Sequence, residues 1–250
     1  MPQPQAHIIG TPVSPYVRKV LAALEIKGIS YSIDPIVPFF GDARFDAVSP
    51  LRRIPVYRDD LVTLCDSSVI CQYLEDRWPS PPLFPADIAK RAQCRWIEEF
   101  ADMRMGDVFI WKLFYGAVVA PAVFGAPRDP AKLKEAATDD VSSVMDYLES
   151  MSPDDGFLCG DLSIADLSVA VHFANLKWSR TEIAWTRWPR TAAWLARAME
   201  RTPLQRLEDA GAVVLRTPPA ALHDKVRELG FTLAHESVGG MTPRKGPMTV

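Results

Sequence analysis

Ser14 stands where a hydroxyl group can stabilise an anion. It lies between a short apolar run and an amphipathic helical pattern, and Pro15 follows it. Proline is favoured at the first position of a helix, so this spacing predicts that Ser14 is the N-cap. The hydroxyl would then lie at the partial positive charge of the helix terminus, which favours an anion such as a thiolate. A purely structural cap remains an alternative explanation of this serine.

The backbone of Ile54 is a second candidate for binding. Pro55 follows it and opens a predicted strand. X-Pro bonds are cis in about 5–6% of cases in folded proteins, usually where the chain turns tightly. A cis bond here would turn the N–H and C=O of Ile54 outward from the sheet edge, where they can pair with an extended peptide substrate. An ordinary strand-initiating proline is the alternative, and the sequence is compatible with both isomers.

Asp66 and Ser67 form a third candidate between a predicted hairpin and the next helix. The N–H and hydroxyl of Ser67 can receive a carboxylate, while the carboxylate of Asp66 can receive an ammonium group. Together they match the head of an α-amino acid. Helix capping is again the alternative role for these residue types.

The bulk composition narrows the classes of partner. The 250 residues carry 28 basic and 31 acidic side chains and a net charge of -3, which gives no reason to expect nucleic acid or an anionic membrane. No run reaches about 18 consecutive apolar residues, and residues 1–5 do not resemble a secretory signal, so a cytoplasmic location is expected. The cysteines form no CxxC pair, and no histidine stands at ligand spacing, so we expect reduced thiols and no metal site.

The first part of the chain predicts a βαβ unit followed by a ββα unit. The predicted elements are a strand at 7–10, a helix with the apolar face Val17, Val20, Leu21 and Leu24, a strand at 29–33, a hairpin of 55–58 and 61–64, and a helix at 67–77. The crossover between the first two strands is long enough for parallel pairing. Residues 35–50 predict an irregular stretch.

A proline-rich stretch then separates this region from a helical one. Residues 79–85 contain Pro79, Pro81, Pro82 and Pro85, which cannot propagate a helix. Helical patterns follow at 88–119 and 130–150, after the capping-box pattern Ser163 to Asp166, and after Pro189 and Pro203. We therefore predict a first domain at 1–78, a linker at 79–87, a helical domain at 88–210 and a partly ordered extension at 211–250.

In their order and spacing, these motifs resemble the cytosolic glutathione transferase family, in its serine-type, bacterial-like form. The likeness covers roughly residues 6–209. It rests on Ser-Pro-Tyr-x-Arg-Lys-Val from Ser14, on Ile54-Pro55 at the cis-proline position, on the sequence from Asp66 to Ile70, and on a helix-capping motif ending at Asp166. The resemblance implies an α/β thioredoxin-like N-terminal domain followed by an all-α helical-bundle C-terminal domain.

The resemblance also implies roles for individual residues. Ser14 corresponds to the hydroxyl that stabilises the glutathione thiolate. Ile54, followed by Pro55, would pair its backbone with the cysteinyl part of glutathione. Asp66 and Ser67 would bind the γ-glutamyl end.

The glycyl end of glutathione has a weaker signature. Arg53 stands where many members have a basic residue, and it would meet the glycyl carboxylate. The lysine that many members carry in the loop after the second strand is not evident, because Phe39 and Phe40 stand near that place.

Two other hydroxyls compete with Ser14. Thr11 and Tyr16 lie close to it in sequence, but of the three only Ser14 falls on the predicted N-cap. Family members that transfer thiols through a mixed disulfide generally carry cysteine at the position of Ser14. The serine therefore disfavours a mixed disulfide with the protein's own side chain.

The second substrate is expected between Tyr16 and the long helix after the linker. Met105, Phe109 and Lys112 recur at i, i+4 and i+7, which predicts one shared face of an α-helix. Methionine and aromatic side chains suit a hydrophobic electrophile. A role in the core or in a subunit interface is an equally open interpretation.

Nucleophilic conjugation is the function that the resemblance implies, with glutathione as co-substrate, no metal or organic cofactor, a role in detoxification and a homodimeric assembly. Two alternatives stay open. One is glutathione-dependent reduction of peroxides or disulfides, and the other is a non-catalytic glutathione-binding module for ligand carriage or protein contacts.

Overall fold

The computed structural model describes residues 5–247, which divide into two compact units. Of these described residues, the first unit combines 5–81 with 206–247, and the second is 82–205. Residues 1–4 and 248–250, which fall in the first and last predicted segments, lie outside the described residues.

The first unit is built on a four-stranded mixed sheet. The strands are β1 (Ala6–Ile9), β2 (Tyr31–Asp34), β3 (Val56–Arg58) and β4 (Thr63–Leu64), in the spatial order β2-β1-β3-β4. β1 is parallel to β2 and antiparallel to β3, and β3 is antiparallel to β4. The βαβ-ββα order predicted from the sequence is therefore confirmed.

The helix between β1 and β2 is buried far more than its sequence pattern indicates. In α1 (Pro15–Ile26), the predicted apolar face of Val17, Val20, Leu21 and Leu24 is fully buried. Arg18 and Lys19 are buried as well, at 1% and 0% exposure. This helix therefore has no polar face over its first turns, and its two cations must find partners inside the protein.

The stretch predicted as irregular, residues 35–50, contains a short helix. A 3₁₀ turn (Pro38–Phe40) leads to α2 (Ala43–Val48), whose N-cap is Asp42. The carboxylate of Asp42 accepts hydrogen bonds from the N–H groups of Arg44 and Phe45. The expectation of an irregular stretch was therefore wrong at α2, because the side-chain cap supplies the start of a helix too short to show a periodic pattern.

The hairpin of β3 and β4 completes the sheet, and α3 follows it. The turn predicted at residues 59–60, between strands 55–58 and 61–64, is wider in the structure, because β3 ends at Arg58 and pairs there with Thr63, the first residue of β4. α3 (Ser67–Arg77) has the bounds that the sequence predicts, and its residues Ile70 and Leu74 are buried.

Residues near the C-terminus complete the first unit. α10 (Leu204–Leu215) is followed by α11 (Leu222–Glu228). The chain then pairs with the free edge of β2, where Ile33 and Leu233 form a parallel bridge. The stretch predicted as a partly ordered extension thus adds to the sheet edge.

The second unit is mostly helical, with isolated β-bridges in the connection between Met151 and Ile164. Its α-helices are α4 (Ile88–Phe100), α5 (Ala120–Phe124), α6 (Pro130–Glu135), α7 (Val141–Met151), α8 (Ile164–Trp178) and α9 (Pro189–Arg201). α8 forms the centre of the unit, with Leu167 and Leu176 fully buried. The predicted thioredoxin-like plus helical fold is confirmed.

A π-helical segment (Ala101–Val119) joins α4 to α5, so the helix runs without a break from Ile88 to Phe124. Within residues 5–247 this is the one helix long and apolar enough to span a membrane, judged by length and composition. Met105, Val108 and Phe109 in its middle are fully buried in the second unit. Of the most apolar 18 residues of this helix, 28% are buried.

The start of α8 has the predicted capping box. Oδ2 of Asp166 accepts the N–H of Ser163 at 2.9 Å and its hydroxyl at 3.1 Å. Oδ1 accepts the N–H of Leu158 at 2.9 Å and the indole N–H of Trp194 at 2.8 Å. Burial raises the pKa of Asp166, and these hydrogen bonds act in the opposite direction. The motif therefore joins α8, the turn before it and α9.

Candidate functional site

Ser14 caps α1 as the sequence predicts. Its backbone is extended, at φ -75° and ψ 130°, and its Oγ accepts the N–H of Val17 at 3.4 Å. That distance is long for an N–H···O bond, so the cap is a weak one. A serine hydroxyl that accepts one N–H still has its own hydrogen to donate. Ser14 is half-buried, and it therefore presents a hydrogen-bond donor at the positive end of the helix.

The two competing hydroxyls, those of Thr11 and Tyr16, differ from that of Ser14 in their position relative to α1. Thr11 is buried at 3% exposure, and its Oγ1 accepts the N–H of Val13 at 3.3 Å. Tyr16 is half-buried within the first turn of α1. Of the three, Ser14 is the hydroxyl at the N-cap itself.

Arg18 holds the loop in front of Ser14. Its Nη1 donates to the carbonyls of Pro12 at 2.7 Å and Val13 at 2.9 Å. Burial lowers the pKa of Arg18 to about 9, and the nearby charge of Glu208 acts against this shift. A buried guanidinium that binds two successive carbonyls fixes the backbone of that loop. Sequence analysis did not assign Arg18 a role, although a charged residue on a buried helix face is a signal of this kind.

Gly10 brings the first turn of α1 close to Ile54. Its φ is +146°, and a Cβ at this position would lie 2.6 Å from Cγ2 of Val17 and 3.0 Å from Cβ of Ile54. A side chain cannot fit between them. The glycine thus allows the N-terminus of α1 and the segment before β3 to meet.

Ile54 and Pro55 are joined by a cis peptide bond. Within residues 5–247, neither the N–H nor the C=O of Ile54 makes a hydrogen bond to another residue. The side chain of Ile54 is buried, at 8% exposure. The residue is thus anchored by its side chain while its two backbone groups remain available for a peptide-like partner.

Asp66 and Ser67 lie at the start of α3, next to α1. Oδ1 of Asp66 accepts the N–H groups of Ser68 and Val69, each at 3.0 Å, so the residue is a helix cap. Its Oδ2 has no hydrogen-bond partner in the described part of the chain. The buried Lys19 of α1 donates to the hydroxyl of Ser68 at 3.2 Å and so ties the two helix starts together.

Arg53 is exposed, and its backbone is fixed from both sides by Ser49. The N–H of Arg53 donates to Oγ of Ser49 at 2.9 Å, and the hydroxyl of Ser49 donates to its carbonyl at 2.7 Å. Among residues 5–247 its guanidinium has no ion pair. A free cation beside Ile54 is suited to a carboxylate.

The residues expected to line a second-substrate pocket do not share one surface. Met105 and Phe109 are fully buried, and the ring of Phe109 packs edge-on against Phe173 with centroids 5.7 Å apart. Lys112 is exposed and pairs with Asp140 at 2.9 Å. Their expected common face was wrong because residues 101–119 are π-helical, and a wider turn moves position i+7 away from i and i+4. Met105 and Phe109 belong to the core, the alternative that the sequence left open.

No group of three or more histidine, cysteine or acidic side chains within residues 5–247 is arranged to hold a metal ion. All four cysteines are free thiols, and three of them are buried. The predicted binding residues of the first unit therefore stand around α1, α3 and the cis-proline segment, a set of hydrogen-bonding groups without a metal ligand cluster.

Comparison with known proteins shows what residues 8–82 are similar to. The sequence model of the glutathione S-transferase N-terminal domain matches residues 8–82. The chain is 38% identical over 77 residues to glutathione S-transferase Z2 of Arabidopsis thaliana and 41% identical over 87 residues to probable maleylacetoacetate isomerase 1 of Drosophila melanogaster. These matches cover 30% and 32% of this chain, and 34% and 35% of the two relatives. The chain thus matches about a third of the length of these relatives.

Longer matches extend over both units. A glutathione S-transferase of Hyoscyamus muticus is 27% identical over 199 residues, which is 77% of this chain and 92% of that protein. The crystal structure of a theta class glutathione S-transferase from Xanthomonas axonopodis pv. citri, with glutathione bound, superposes with a TM-score of 0.69 at 25% identity. It covers 82% of this chain and 97% of that one.

Proposed function

We propose that this chain is a cytosolic glutathione S-transferase, which binds glutathione at the start of α1 and transfers its sulfur to a hydrophobic electrophile. The observation that carries the proposal is the Ser14 hydroxyl at the N-cap of α1, with a weak bond to Val17 and its own hydrogen free to donate. The relatives support a glutathione-dependent transferase or isomerase in general. The conjugation of an electrophile is the finer part of the proposal.

The chemistry requires a more acidic thiol. A free alkyl thiol has a pKa of about 8.5, so a small fraction is thiolate at neutral pH. Lowering that pKa by about two units takes about 2.7 kcal/mol of preferential stabilisation of the anion. A hydroxyl hydrogen bond to a charged acceptor contributes roughly 1.5–3 kcal/mol, and a helix terminus adds about 0.3–1 kcal/mol. Ser14 and the α1 terminus together are therefore sufficient.

The remaining groups hold the peptide. In the proposed pose the free N–H and C=O of Ile54 pair with the cysteinyl residue as in an added strand. Asp66 and Ser67 receive the ammonium and carboxylate of the γ-glutamyl end, and Arg53 receives the glycyl carboxylate. Each contact fixes the sulfur at Ser14, so that the reaction gains from proximity as well as from anion stabilisation.

In the reaction, the thiol proton leaves to solvent and the thiolate attacks an electrophilic carbon. A carbon–sulfur bond forms, and a leaving group departs from that carbon with its electron pair. We propose glutathione as co-substrate and no metal or organic cofactor, a cytoplasmic location, and detoxification as the biological role.

The proposal includes a homodimer, because three large apolar side chains are exposed along the continuous helix that begins with α4. Ile88, Trp96 and Met103 are 86%, 58% and 70% exposed. Exposed apolar groups repeated along one helix are typical of an interface.

A second candidate function is isomerisation, which the Drosophila relative supports because it is a probable maleylacetoacetate isomerase. There the thiolate would add to a carbon–carbon double bond, the adduct would rotate, and glutathione would leave unchanged.

A panel of assays tests the proposal. Calorimetry measures glutathione binding, and turnover is followed with chlorodinitrobenzene for conjugation, cumene hydroperoxide for reduction and maleylacetoacetate for isomerisation. We expect binding together with turnover of chlorodinitrobenzene. Turnover confined to the peroxide or to maleylacetoacetate would replace conjugation by that activity, and binding without turnover would leave a non-catalytic module. Absence of binding at millimolar glutathione would refute the whole proposal.

A further inference from the structure

The segment formed by residues 232–244 covers the edge of β2 and donates hydrogen bonds to the carboxylate of Asp34, the last residue of that strand. Ile33 donates its N–H to the carbonyl of Thr232 at 2.8 Å and accepts the N–H of Ala234 at 3.0 Å. Asp34, 1% exposed, accepts the hydroxyl of Ser237 at 2.8 Å. Its other carboxylate oxygen accepts the N–H of Val238 at 2.8 Å. The 232–244 segment is therefore docked by backbone pairing and by a buried carboxylate.

The same segment also runs along the loop that leads to α2. The carbonyl of Val238 accepts the N–H of Asp42 at 2.9 Å. Farther on, the N–H of Arg244 donates to the carbonyl of Phe39 at 2.8 Å. The guanidinium of Arg244 donates to the carbonyl of Gly41 at 2.9 Å and to Asp46 at 3.1 Å.

Arg52 binds the same two acceptors from the other side. Its guanidinium donates to the carbonyl of Gly41 at 3.0 Å and forms an ion pair with Asp46. Its backbone is in the left-handed region, with φ +52°, immediately before Arg53 and Ile54. Arg52 and Arg244 together therefore hold Gly41 and Asp46, and the chain that leaves Arg52 carries the free backbone groups of Ile54.

We infer that Arg244 is a positioning residue for the glutathione site: it fixes, through Gly41, Asp46 and Arg52, the backbone at Ile54 that pairs with the tripeptide. This inference rests on the proposed function. A group already held in its bound conformation loses less freedom when the ligand binds, so the network raises glutathione affinity. Because Arg244 does not act on the sulfur, it leaves the chemical step unchanged.

A lone surface ion pair would not have this effect. Exposed pairs contribute about 0–1 kcal/mol, and Arg244 and Asp46 are both partly exposed, at 46% and 39%. Arg244 differs from such a pair because it also binds two backbone carbonyls, one with its guanidinium and one with its main chain. The carbonyl bond of its side chain, shared with Arg52, ties the 232–244 segment to the segment before Ile54.

The test compares Arg244→Ala with Arg227→Ala in the full chain. Arg227 is a matched control, because it also lies near the C-terminus and is 66% exposed, but it pairs with Asp224 and not with the α2 loop. We expect Arg244→Ala to raise the glutathione Kd and KM by about tenfold, the effect of one charge-assisted hydrogen bond, with kcat nearly unchanged. Arg227→Ala should leave all three unchanged.

Arg244→Lys keeps the charge but lacks the planar fork, so an intermediate loss of affinity is expected. A purely structural role would lower the melting temperature of Arg244→Ala without changing Kd, and that result would overturn the inference. Equal Kd values for the two alanine variants would overturn it as well. If the unaltered chain does not bind glutathione, the proposed function fails first, and the two failures are thereby distinguished.

Discussion

At the scale of single residues, the hydroxyl of Ser14 is distinguished by its unused hydrogen-bonding capacity. Thr11 is buried and its oxygen accepts a near-neighbour N–H, whereas the Oγ of Ser14 makes one long contact to Val17. A cap bonded at 3.4 Å contributes little to helix stability. The geometry therefore favours Ser14 over Thr11 as the donor to a bound thiolate.

Replacing Ser14 by alanine tests this role directly. We expect Ser14→Ala to raise the pKa of bound glutathione by about one to two units, because a hydroxyl hydrogen bond to the anion is lost. The free energy of unfolding should fall by about 1 kcal/mol or less, the value of an N-cap. The pKa is read from thiolate absorbance against pH, and stability from urea unfolding.

Ser30→Ala is a suitable control, because Ser30 is exposed and precedes β2 at the opposite end of the sheet strands. An unchanged titration in Ser14→Ala would transfer the donor role elsewhere. Thr11→Val and Tyr16→Phe would then show which of the other two hydroxyls acts.

The candidate site illustrates how far residue types alone could lead. Ser14, Asp66 and Ser67 were found because caps have a sequence signature. The partners of Arg18 and Arg52 could not be found in this way, since Arg18 binds two backbone carbonyls and Arg52 binds the carbonyl of Gly41 as well as Asp46. Every residue has a backbone carbonyl, so the sequence does not show which carbonyls act as acceptors.

At the scale of elements, α8 depends on one buried carboxylate. Asp166 accepts four hydrogen bonds from three residues: two from Ser163 at the start of α8, one from Leu158 in the turn before it and one from Trp194 in α9. No solvent reaches these donors when the carboxylate is removed, because Asp166 is 0% exposed. Its loss should therefore affect folding rather than the site around α1.

We expect Asp166→Ala to lower the free energy of unfolding by about 3 kcal/mol or more, since several buried donors lose their acceptor. The folded fraction should bind glutathione with unchanged Kd. Denaturant unfolding and calorimetry measure the two effects, and Asp161→Ala at an exposed neighbouring position provides the control. A variant of normal stability with impaired binding would contradict a folding role.

Helix periodicity was a good guide except in one element. The regular spacing of Val17, Val20, Leu21 and Leu24 correctly gave the buried face of α1. Between Ala101 and Val119 the backbone forms hydrogen bonds from the N–H of residue i to the carbonyl of residue i-5, as from Ala120 to Tyr115. The apolar residues of this segment allow either winding, so packing within the second unit decides it.

At the scale of the whole molecule, one buried carboxylate in the β3–β4 hairpin contributes to stability against acid. Asp59 accepts the hydroxyls of Tyr57 at 2.7 Å and Tyr73 at 2.6 Å, the N–H groups of Leu61 and Val62, and the guanidinium of Arg77. Its side chain has 0% exposure. Burial would raise the pKa of Asp59, but the hydrogen bonds outweigh it and lower the pKa from 3.8 to about 2.

The sign of the resulting pH dependence follows from this direction. Because the folded pKa of Asp59 lies below the unfolded value of 3.8, its contribution is complete above that value and is lost as the pH falls toward about 2. The size is about 2 kcal/mol. Asp59→Asn should lose about this amount at neutral pH and unfold with a flatter dependence on acid.

Urea unfolding followed by tryptophan fluorescence at neutral pH and at the acid end measures both effects. Asp60→Asn is the matched control, since Asp60 pairs with the same Arg77 but is 69% exposed. It should change stability by less than about 1 kcal/mol. Equal behaviour of the two variants would show that the buried network does not determine acid stability.

Contacts between distant parts of the chain were the least predictable feature. The helical pattern weakens beyond about residue 210 and residues 239–250 contain few large apolar side chains, so the sequence predicts a partly ordered extension at residues 211–250. What attaches them is backbone pairing with Ile33 and the acceptors offered by Asp34, which depend on an open sheet edge rather than on side-chain type. An open edge becomes visible only when the strand order is known.

The bridge between Ile33 and Leu233 has a consequence for biosynthesis. The two residues are 200 positions apart, so a ribosome that has released the β1 and β2 sequences must add the entire second unit before that edge can be closed. Until then the nascent β2 edge is open to other chains, which is a hazard of late-closing sheets. The helical second unit, whose sequence is continuous, can mature first, and the first unit, whose strands are translated before it, is completed after it.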